Sequence, residues 1–470
     1  MKSRKEVNEI MSYRDLRDWI DALERDDELI RIKDKVVIEP DAGAIGRAIC
    51  DLESPAVLAE NVAGFETPMA IGLHASWRRA AMAVGLPKTS SHKEQLKAWN
   101  EFFKRDHVTA KMVSNAPCKE NILKGEQVNL FQFPIPRINV HDGSFYISKP
   151  MVITKDPESG WVNVGMYRMM VLNRNKTALM ALTATAHAGL HFKKYIDRGQ
   201  DMPMAVALGT EPVLPMVAGA WQPEAWCEFD FAGAIRGEPE ELVMAETADL
   251  PIPARAEIIL EGVLKHNETV LEGPFGESPG SYSGYFRLPV FEIRAITHRN
   301  NLIYDFLFMG RPLAENHYMT VHSKLAGELN TVYANRPEIT EIAYHPYTLL
   351  LVIQGKWGHT GHPREVMLAS RSKVVIAVDE DIDPWNANEV LWAIEARCRP
   401  DIDVLMVPEI PGRLDPAASP HGTMTRMLID ATKSRPPYHR YRSVGFIEPR
   451  AETPKWRERI LKDWNGGGTK

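Results

Sequence analysis

The sequence contains few cysteines and no excess of basic charge. Four cysteines stand far apart among 470 residues, and none forms a CxxC pair. Zinc ribbons and thioredoxin-like redox motifs are therefore not expected, and sparse cysteine is typical of a reducing compartment. The formal net charge of −6 provides no overall attraction to nucleic acid. We expect a cytoplasmic protein that does not bind nucleic acid.

Long apolar runs are absent too. No stretch of about 18 apolar residues exists, so no transmembrane helix and no membrane insertion are predicted. The basic N-terminus lacks the apolar segment of a signal peptide. The GxGxxG, Walker A and GxSxG motifs of common nucleotide-binding proteins and hydrolases are missing. Hydrophobic residues make up 44% and charged residues 25%, as in ordinary globular proteins.

The pattern of apolar residues divides the chain into three parts. Residues 11–120 begin with an amphipathic helix and continue with short strands, which predicts a small α/β domain. Residues 121–318 are mainly strands separated by turn signals, which favours an antiparallel barrel or split β-barrel. Residues 319–470 alternate helices with short apolar strands, as parallel βαβ units do. The predicted fold class is α/β (α+β multidomain), with a further helix at the C-terminus.

The predicted elements follow from the same patterns. Helices are predicted at 16–23, 92–106, 191–198, 226–236, 322–334, 363–370 and 386–396. Strands are predicted at 29–32, 56–58, 69–71, 151–154, 163–172, 205–208, 258–264, 291–297, 302–308, 348–353, 374–378 and 404–407.

Two carboxylates bracket the turn Glu272-Gly-Pro-Phe-Gly-Glu277, directly after a predicted strand. Neighbouring carboxylates can separate their pKa values, so that one stays protonated and serves as an acid. A hairpin loop with two solvated acids has the same spacing. The sequence therefore predicts either an acid–base pair or an ordinary turn.

The segment Asn163-Val-Gly-Met-Tyr-Arg168 is predicted to be a strand. Alternation places 163, 165 and 167 on one face and 164, 166 and 168 on the other, unless Gly165 marks a bulge. Arg168 would then face a ligand or a carboxylate, or simply solvent.

Three further residues have the chemistry of metal ligands. His187 and His191 are spaced as two ligands on one helix face would be, although Gly189 disfavours the helix. Glu228 lies among aromatic residues and could bind a hard cation or complement a helix dipole. A weaker pair is His359 and His362. Unrelated histidines remain an alternative to a metal site.

Taken together, several ordered motifs resemble the UbiD family of reversible decarboxylases. The resemblance covers about residues 13–450 and rests on NVGMYR (163–168), AVALGTEP (205–212), EFDFAGAIRG (228–237), AEIILEG (256–262), EGPFGE (272–277), KVVIAVDEDIDPWN (373–386) and SPHGTMTRMLIDAT (419–432). It implies a carboxy-lyase with a central prenylated-FMN-binding barrel (121–318) and a C-terminal oligomerisation domain (319–470).

The resemblance also implies a ligand set. Asn163, His187 and Glu228 match residues that hold Mn²⁺ or Mg²⁺ against the cofactor phosphate, with K⁺ nearby, and His191 is a rival to His187. Lys373 is similar to a phosphate-contacting lysine. Met166, Arg168 and Gly219 would also contact the cofactor. The segment 217–221 lacks the serines that some members carry, so contacts there would come from the backbone. Arg426 stands where lysine is common.

For the reaction, the resemblance implies reversible, non-oxidative decarboxylation through a covalent adduct between the substrate and prenylated FMN. Arg168 would be the catalytic arginine, Glu272 its carboxylate partner and Glu277 the proton donor. The physical argument agrees, because burial raises the pKa of an acid while a neighbouring arginine keeps its partner ionised.

The substrate is expected to be an aromatic or heteroaromatic carboxylic acid, as in the hydroxyarenecarboxylate branch. The loop 310–318 resembles the one that faces such substrates, which makes Glu315, Asn316 and His317 pocket candidates. These residues could equally cap the following helix. An acrylic-acid-type decarboxylase, a plain-FMN or metal-dependent enzyme, and a non-catalytic paralogue are the alternatives.

The implied partners are small molecules and proteins of the same pathway. They comprise the carboxylic acid, CO₂, a flavin prenyltransferase that supplies the cofactor, and further copies of the chain in a homodimer or homohexamer.

Overall fold

The computed structural model describes residues 13–181, 186–220, 222–345, 350–412, 415, 417–419, 422–433, 455–456 and 458–460. No helix in these ranges is long and apolar enough to span a lipid bilayer. The helices are α1 (Leu16–Arg25), α2 (Asp41–Leu52), α3 (Trp77–Ala83), α4 (His92–Phe102), α5 (His187–Asp197), α6 (Val213–Ala218), α7 (Glu228–Arg236), α8 (Glu315–Thr331), α9 (His362–Ala369), α10 (Ala387–Arg397) and α11 (Pro400–Asp403).

The strands alternate with these helices at both ends of the chain and dominate its middle. They are β1 (Leu29–Val36), β2 (Ala56–Val62), β3 (Met69–Ile71), β4 (Lys111–Met112), β5 (Asn121–Lys124), β6 (Tyr146–Ile147), β7 (Met151–Lys155), β8 (Val162–Met166), β9 (Met169–Asn173), β10 (Lys176–Leu179), β11 (Met202–Leu208), β12 (Glu241–Met244), β13 (Pro251–Pro253), β14 (Ile258–Glu272), β15 (Phe286–His298), β16 (Tyr304–Phe306), β17 (Ile339–His345), β18 (Leu350–Gly355), β19 (Val374–Asp379), β20 (Val404–Pro411) and β21 (Thr423–Asp430).

The N-terminal region forms a four-stranded sheet with strand order β1-β2-β3-β16. Helix α1 begins after Asp15, whose carboxylate accepts hydrogen bonds from two backbone N–H groups of the first turn. The apolar stripe of α1, including Trp19, is buried in the core as its spacing predicts. Strand β16 comes from the segment that the sequence assigned to the middle domain. It pairs in parallel with β3, so this sheet joins the two regions.

The middle region forms one nine-stranded sheet, with strand order β6-β9-β10-β15-β14-β11-β7-β8 and with β5 on β15. All of its pairings are antiparallel. The long hairpin β14–β15 is the centre of this sheet, and its inward residues are almost wholly buried. The sheet is a curled half-barrel, in agreement with the predicted split barrel. The motif 163–168 runs from β8 into the junction with β9, and the loop 273–285 connects β14 with β15.

The C-terminal region contains a five-stranded sheet with strand order β17-β18-β19-β21-β20. Strand β19 pairs in parallel with β18 and β21, which confirms the predicted parallel βαβ units. The edge strands β17 and β20 are antiparallel. The inner strands are apolar and buried because helices cover the sheet. The predicted C-terminal helix lies largely outside the described residues.

Helix α8 connects the regions and begins seven residues before its predicted start at 322. The sequence pattern missed this first turn because it is polar but buried. The backbone N–H of Ala314 donates to the His317 ring, 3.1 Å away, which caps the helix. The Ser323 hydroxyl donates to the backbone carbonyl of Met216 in α6 at 3.2 Å. Helix α8 is thereby held against the short helix that adjoins the candidate site.

Candidate active site

Strand β8 places Asn163 in the middle of a regular antiparallel pairing, opposite Thr154 of β7. The alternative of a bulge at Gly165 is therefore not observed. Gly165 instead accommodates the ring of Tyr167, which a β-carbon at position 165 would overlap. The strand ends at Met166, and β9 begins at Met169. Tyr167 and Arg168 form the break between the two strands, where backbone alternation no longer dictates side-chain direction.

The two candidate histidines lie one turn apart on α5 and have different partners. His187, at the start of the helix, lies 3.2 Å from the Asn163 side-chain oxygen through its Nδ1 atom. His191 is 1% exposed, and its Nδ1 atom lies 3.0 Å from the Thr154 hydroxyl. Burial lowers the pKa of both histidines, that of His191 to about 4. The structure therefore brings His187, and not His191, next to Asn163.

Glu228 begins α7 and reaches strand β8. Its carboxylate accepts a hydrogen bond from the backbone N–H of Val164 at 2.7 Å. The side chain is buried, and burial raises its pKa to about 8. A carboxylate in this setting is stabilised by a bound cation, because opposite charge favours the ionised form. The alternative from the sequence was that Glu228 only complements the dipole of its helix. That role does not explain why the side chain is buried.

Asn163, His187 and Glu228 line one cavity of about 230 Å³. Met166 and Gly219, the other predicted cofactor contacts, line the same cavity. The amide nitrogen of Asn163 is buried without a hydrogen-bond partner among the described residues. Those residues contain no cluster of three His, Cys, Asp or Glu side chains arranged as metal ligands. The candidate set therefore depends on an amide oxygen, together with an imidazole and a carboxylate, and such a set fits a hard divalent ion.

Arg168 directly follows this cavity lining and forms a bidentate ion pair with Glu272. Its Nε and Nη2 atoms donate to the two carboxylate oxygens at 2.8 and 2.9 Å. Glu272 also accepts from the Tyr146 hydroxyl at 3.0 Å. Burial alone would lower the pKa of Arg168, but the two glutamates outweigh it and raise the pKa. Arg168 is thus a fixed cation in a buried site.

Glu277 makes an ion pair with the remaining end of the same guanidinium, through Nη1 of Arg168. Its side chain is nearly buried, and burial is the largest influence on its pKa. Arg168 lowers that pKa and Glu272 raises it, with a net shift upwards. We call Arg168, Glu272 and Glu277 the Arg168 cluster. Its one cation faces two carboxylates, and Glu277 is the carboxylate disposed to carry a proton.

The loop between β14 and β15 is held in shape by backbone and hydroxyl contacts. Ser283 donates its backbone N–H to the Phe275 carbonyl at 2.8 Å, and its hydroxyl oxygen accepts from the Phe275 N–H at 3.1 Å. The same hydroxyl oxygen lies 3.2 Å from Nη2 of Arg168. The predicted turn is therefore a hairpin loop, but its two acids are buried and not solvated.

The three predicted pocket residues lie at the start of α8 and differ in setting. His317 accepts from the Ala314 backbone N–H through Nδ1, and its Nε2 donates to the Ser278 carbonyl at 3.0 Å, next to Glu277. Burial lowers the pKa of His317 to about 4. Asn316 is buried, and its side-chain oxygen has no hydrogen-bond partner among the described residues. Only Asn316 therefore keeps an unused hydrogen-bond acceptor, since both ring nitrogens of His317 are engaged.

Glu315 has a different place. It is fully buried, and its oxygens accept from the backbone N–H of His74 at 2.9 Å and of Phe308 at 3.1 Å. The Lys149 amine lies 3.7 Å from Glu315 and 2.9 Å from Asp305. These four residues, Lys149, Asp305, Glu315 and His74, form what we call the Lys149 cluster. The structure does not support a role of Glu315 in binding substrate, because both oxygens are occupied in this cluster.

Lys373 does not line the cavity in the described part of the chain. It precedes β19, is about half exposed, and its amine lies 2.8 Å from the Asp415 carboxylate. The structure therefore pairs Lys373 with an acid of its own region. The weaker histidine pair is also local, since His362 lies 3.1 Å from Glu338 and on the surface side of α9.

Sequence reasoning did not identify Tyr146, Ser283 or Asp142, which all contact the Arg168 cluster or its loop. The Gly276 N–H donates to the Asp142 carboxylate at 2.8 Å. None of these residues stands in a motif with a recognisable spacing. The single signal was the Asp-Gly turn at 142–143, which marks a tight turn but not its contact.

Comparison with known proteins follows the same division of the chain. Models of the N-terminal, Rift-related and C-terminal domains of 3-octaprenyl-4-hydroxybenzoate carboxy-lyase match residues 20–99, 111–312 and 325–431. A curated relative, the phenolic acid decarboxylase of Streptomyces sp. (strain D7), is 34% identical, and the match covers 96% of this chain and 99% of that protein.

Two solved structures are similar over most of their length. The vanillic acid decarboxylase of Sedimentibacter hydroxybenzoicus in closed form has a TM-score of 0.89 and 33% identity, with 96% of this chain and 99% of that chain covered. An evolved dimeric form of HmfF from Pelotomaculum thermopropionicum, solved with prFMN, has a TM-score of 0.79 and 28% identity, with 92% and 98% covered.

Proposed function

Because the chain belongs to the UbiD family of carboxy-lyases, we propose that it decarboxylates an aromatic or heteroaromatic carboxylic acid reversibly with bound prenylated FMN. It is an enzyme of the decarboxylase class that uses a flavin. The single observation that carries the finer proposal is the Arg168 cluster, in which one buried arginine contacts two buried glutamates. Such a cluster provides a cation for a carboxylate substrate and an acid for protonation.

The cavity lined by Asn163, His187 and Glu228 is proposed to hold the phosphate end of the flavin and a divalent ion, Mn²⁺ or Mg²⁺. A volume of about 230 Å³ is smaller than the roughly 300–1,000 Å³ of most ligand sites, which suits one end of a nucleotide. Burial alone favours the protonated form of Glu228, and a cation bound beside Asn163 and His187 would offset this by stabilising the carboxylate. We retain K⁺ as a second ion. When bound, prenylated FMN would supply the electron sink for the carbon–carbon bond that breaks.

Arg168 is proposed to orient the substrate carboxylate and the acids around it. Its guanidinium is fixed by two bonds to Glu272 at 2.8 and 2.9 Å, and Glu272 is fixed in turn by Tyr146. Because Glu272 occupies this side of the guanidinium, a substrate carboxylate would approach Arg168 from its Nη1 end, beside Glu277. Glu272 therefore acts as the counter-ion that keeps Arg168 in place.

Glu277 is proposed to hold the proton that replaces CO₂ on the substrate carbon. Its raised pKa keeps the proton on the carboxyl group at a higher pH than an ordinary glutamate would. After CO₂ departs, the Glu277 carboxyl donates this proton to the substrate carbon that had carried the CO₂ group. A Glu277 carboxylate then remains beside Arg168. In the carboxylation direction the same carboxylate accepts the proton back.

The substrate class rests on the relatives and on the start of α8. The names of two relatives given above are phenolic acid decarboxylase and vanillic acid decarboxylase. Asn316 and His317 are proposed pocket residues: the unpartnered amide oxygen of Asn316 could accept a hydrogen bond from a ring hydroxyl, and His317, bonded to Ser278, would hold the loop beside Glu277 in place. An acrylic acid without a hydroxyl would leave the Asn316 oxygen unpaired, which disfavours that alternative.

Two other functions are less well supported. A hydrolase that uses His187 and His191 as metal ligands is disfavoured. The His191 ring is hydrogen-bonded to the Thr154 hydroxyl and does not line the cavity. A non-catalytic paralogue is disfavoured because Arg168, Glu272 and Glu277 are all present and lie in direct contact.

We also propose that the protein works as a homo-oligomer, through its C-terminal domain, and receives its cofactor from a flavin prenyltransferase. Exposed apolar side chains on the C-terminal helices support a subunit contact there, among them Leu391 and Trp392 of α10. A dimeric relative has been solved. A dimer and a hexamer are both compatible with this surface.

The proposal is tested by purifying the protein with and without a co-expressed flavin prenyltransferase. Absorbance and native mass spectra would report the flavin and the ion, and CO₂ release would be scored for a panel of phenolic and heteroaromatic acids. We expect prenylated FMN, a divalent ion and CO₂ release only with the prenyltransferase. Equal activity with ordinary FMN, or binding of the flavin without CO₂ release from any acid, would contradict the proposal.

A further inference from the structure

The segment 273–277 is held from outside by a turn that lies about 130 residues earlier in the chain. The backbone N–H of Gly143 donates to the Pro274 carbonyl at 2.8 Å, and the backbone N–H of Gly276 donates to Asp142 at 2.8 Å. These two bonds run in opposite directions between the same two segments. The turn and the loop that ends in Glu277 are therefore docked as a pair.

Asp142 is the centre of this contact. Its second oxygen accepts from the backbone N–H of Asn139 at 2.9 Å, and its own N–H donates to the Asn139 carbonyl at 3.0 Å. The residue is 3% exposed. One carboxylate thus fixes the shape of its own turn and the position of Gly276. Gly276 lies directly before Glu277 in the chain.

The fit between the two segments is close. A β-carbon at Gly276 would overlap the Asn139 amide, and one at Gly143 would overlap the Gly273 carbonyl. The Asn139 amide also donates to the Met309 carbonyl at 3.3 Å. Little space is left for the loop to shift, so its position depends on the bonds that hold it.

We infer that Asp142 is a positioning residue for the proposed reaction, which fixes the Gly276–Glu277 peptide so that the Glu277 carboxyl faces Arg168. This inference rests on the proposed function of Glu277. Within the described part of the chain, the hydrogen bonds of Asp142 go to Asn139 and Gly276 and not to the residues that line the cavity, so it would act through Glu277 and not on the substrate.

Charge adds a second effect. The groups that face Glu277 are Arg168 from the β8–β9 junction, Glu272 from the end of β14 and Asp142 from the turn, while neutral His317 contacts the adjacent Ser278. Asp142 is the remote negative charge that raises the pKa of Glu277, after burial and Glu272. Removal of that charge therefore lowers the pKa of Glu277.

The test compares Asp142→Ala and Asp142→Asn with Asp201→Ala in the cofactor-loaded enzyme. Asp201 is a matched control, since its carboxylate also accepts from the backbone N–H of a remote segment, that of His266 at 3.0 Å, away from the Arg168 cluster. We expect kcat to fall about 10- to 100-fold in Asp142→Ala with KM little changed, because misplacement of a catalytic group costs this much. Asp201→Ala should keep the wild-type kcat.

Asp142→Asn keeps one oxygen, which can still accept from Gly276, but it loses the charge and the second oxygen, which accepts from Asn139. We expect a smaller loss of kcat, together with a shift of the basic limb of the pH–rate profile to lower pH. This variant carries the test if Asp142→Ala fails to fold. Hydrogen exchange of the peptide around Gly276 should accelerate in Asp142→Ala and not in Asp201→Ala.

A wild-type kcat and pH profile in both Asp142 variants would overturn the inference and leave the proposed function intact. Equal losses of kcat in Asp142→Ala and Asp201→Ala would overturn it too, because the effect would then be general. No CO₂ release from the loaded wild-type enzyme would remove the proposed function, and this inference with it.

Discussion

The Arg168 cluster and the Lys149 cluster each bury one cation with two carboxylates, but the carboxylates differ in what else they contact. Glu315 accepts two backbone N–H bonds in addition to its ion pair. Burial would raise its pKa, yet Lys149 and the bonds from His74 outweigh burial and lower it to about 2. Among the described residues, no backbone N–H donates to the Glu277 carboxylate, and its pKa is raised.

The second partner of Lys149 shows that the cation alone does not decide the pKa. Burial raises the pKa of Asp305 to about 6, although Lys149 lies 2.9 Å away. His74 is neutral, since its Nε2 donates to the Pro212 carbonyl and its Nδ1 faces the Lys149 amine. In these two clusters, the acid whose pKa is lowered is the one that combines a nearby cation with two backbone N–H donors, whereas Asp305 and Glu277 keep raised pKa values beside a cation alone. We therefore propose a structural role for the Lys149 cluster and a catalytic role for the Arg168 cluster.

The largest expected effect is on catalysis. Glu277→Gln should lower kcat for decarboxylation about 10²- to 10⁴-fold, the usual contribution of a general acid. Stability should change little, because a neutral amide replaces an acid that opposes burial of its charge. Stopped assays of CO₂ release and thermal melts measure the two effects. A Glu277→Gln variant with near-normal kcat would contradict the proposed role of Glu277 as the proton donor.

The mirror substitution, Glu315→Gln, should destabilise the fold by about 3–5 kcal/mol, the usual effect of removing one partner from a buried ion pair. The kcat of the folded, loaded enzyme should stay within a few-fold of the wild type. Urea unfolding at neutral pH checks the stability. If activity fell while stability held, Glu315 would belong to the pocket as the sequence predicted.

The pH dependence of stability sharpens the same contrast. The pKa of Glu315 is about 2 when folded against an ordinary 4.5, so its stabilising contribution is complete above about pH 4.5. It is lost as the pH falls towards 2. The difference in unfolding free energy between wild type and Glu315→Gln should shrink over this range. A constant difference would show that charge is not the cause.

His187 and His191 of α5 allow a similar comparison at the cavity, between a proposed metal ligand and a histidine with a structural contact. His187→Ala should weaken divalent ion binding by about 100-fold or more, since even loss of a residue that only supports a ligand costs about 10- to 100-fold. His191→Ala should leave ion affinity close to normal, because His191 contacts Thr154 instead. Isothermal titration with Mn²⁺ compares them. The reverse order would assign the ligand to His191.

The smallest effect is expected at Lys373. As an exposed ion pair with Asp415, it should contribute about 0–1 kcal/mol to stability. Lys373→Ala should therefore melt near the wild type. Its affinity for FMN decides between the two roles: an unchanged Kd fits the pair seen here, whereas a tenfold weaker Kd would support the predicted phosphate contact.

Local patterns in the sequence predicted much of the fold and part of the site. The stripe of α1 and the apolar strands β18 and β19 follow from spacing alone. The sequence also placed Asn163 and Arg168 in one segment, and Glu272 and Glu277 in one turn. The choice between His187 and His191 could not be made, since it depends on where β7 and β8 lie against α5.

Contacts between distant segments account for what was missed. Glu315 and His74 are 241 residues apart, and Asp142 and Gly276 are 134 apart. Strand β16 joins a sheet that begins almost 300 residues earlier, because its pairing partner β3 has an open edge. Neither periodicity nor a motif encodes such pairings, so the setting of each carboxylate became visible only in the folded chain.

The most direct test is the protonation of Glu277 itself. Infrared spectra of the wild type minus Glu277→Gln, recorded across a pH series, isolate the carboxyl band of this one residue without need of turnover. We predict that the protonated band persists above pH 4.5, the ordinary value for glutamate. A band that disappears at or below pH 4.5 would contradict the central claim that Glu277 is the acid of the site.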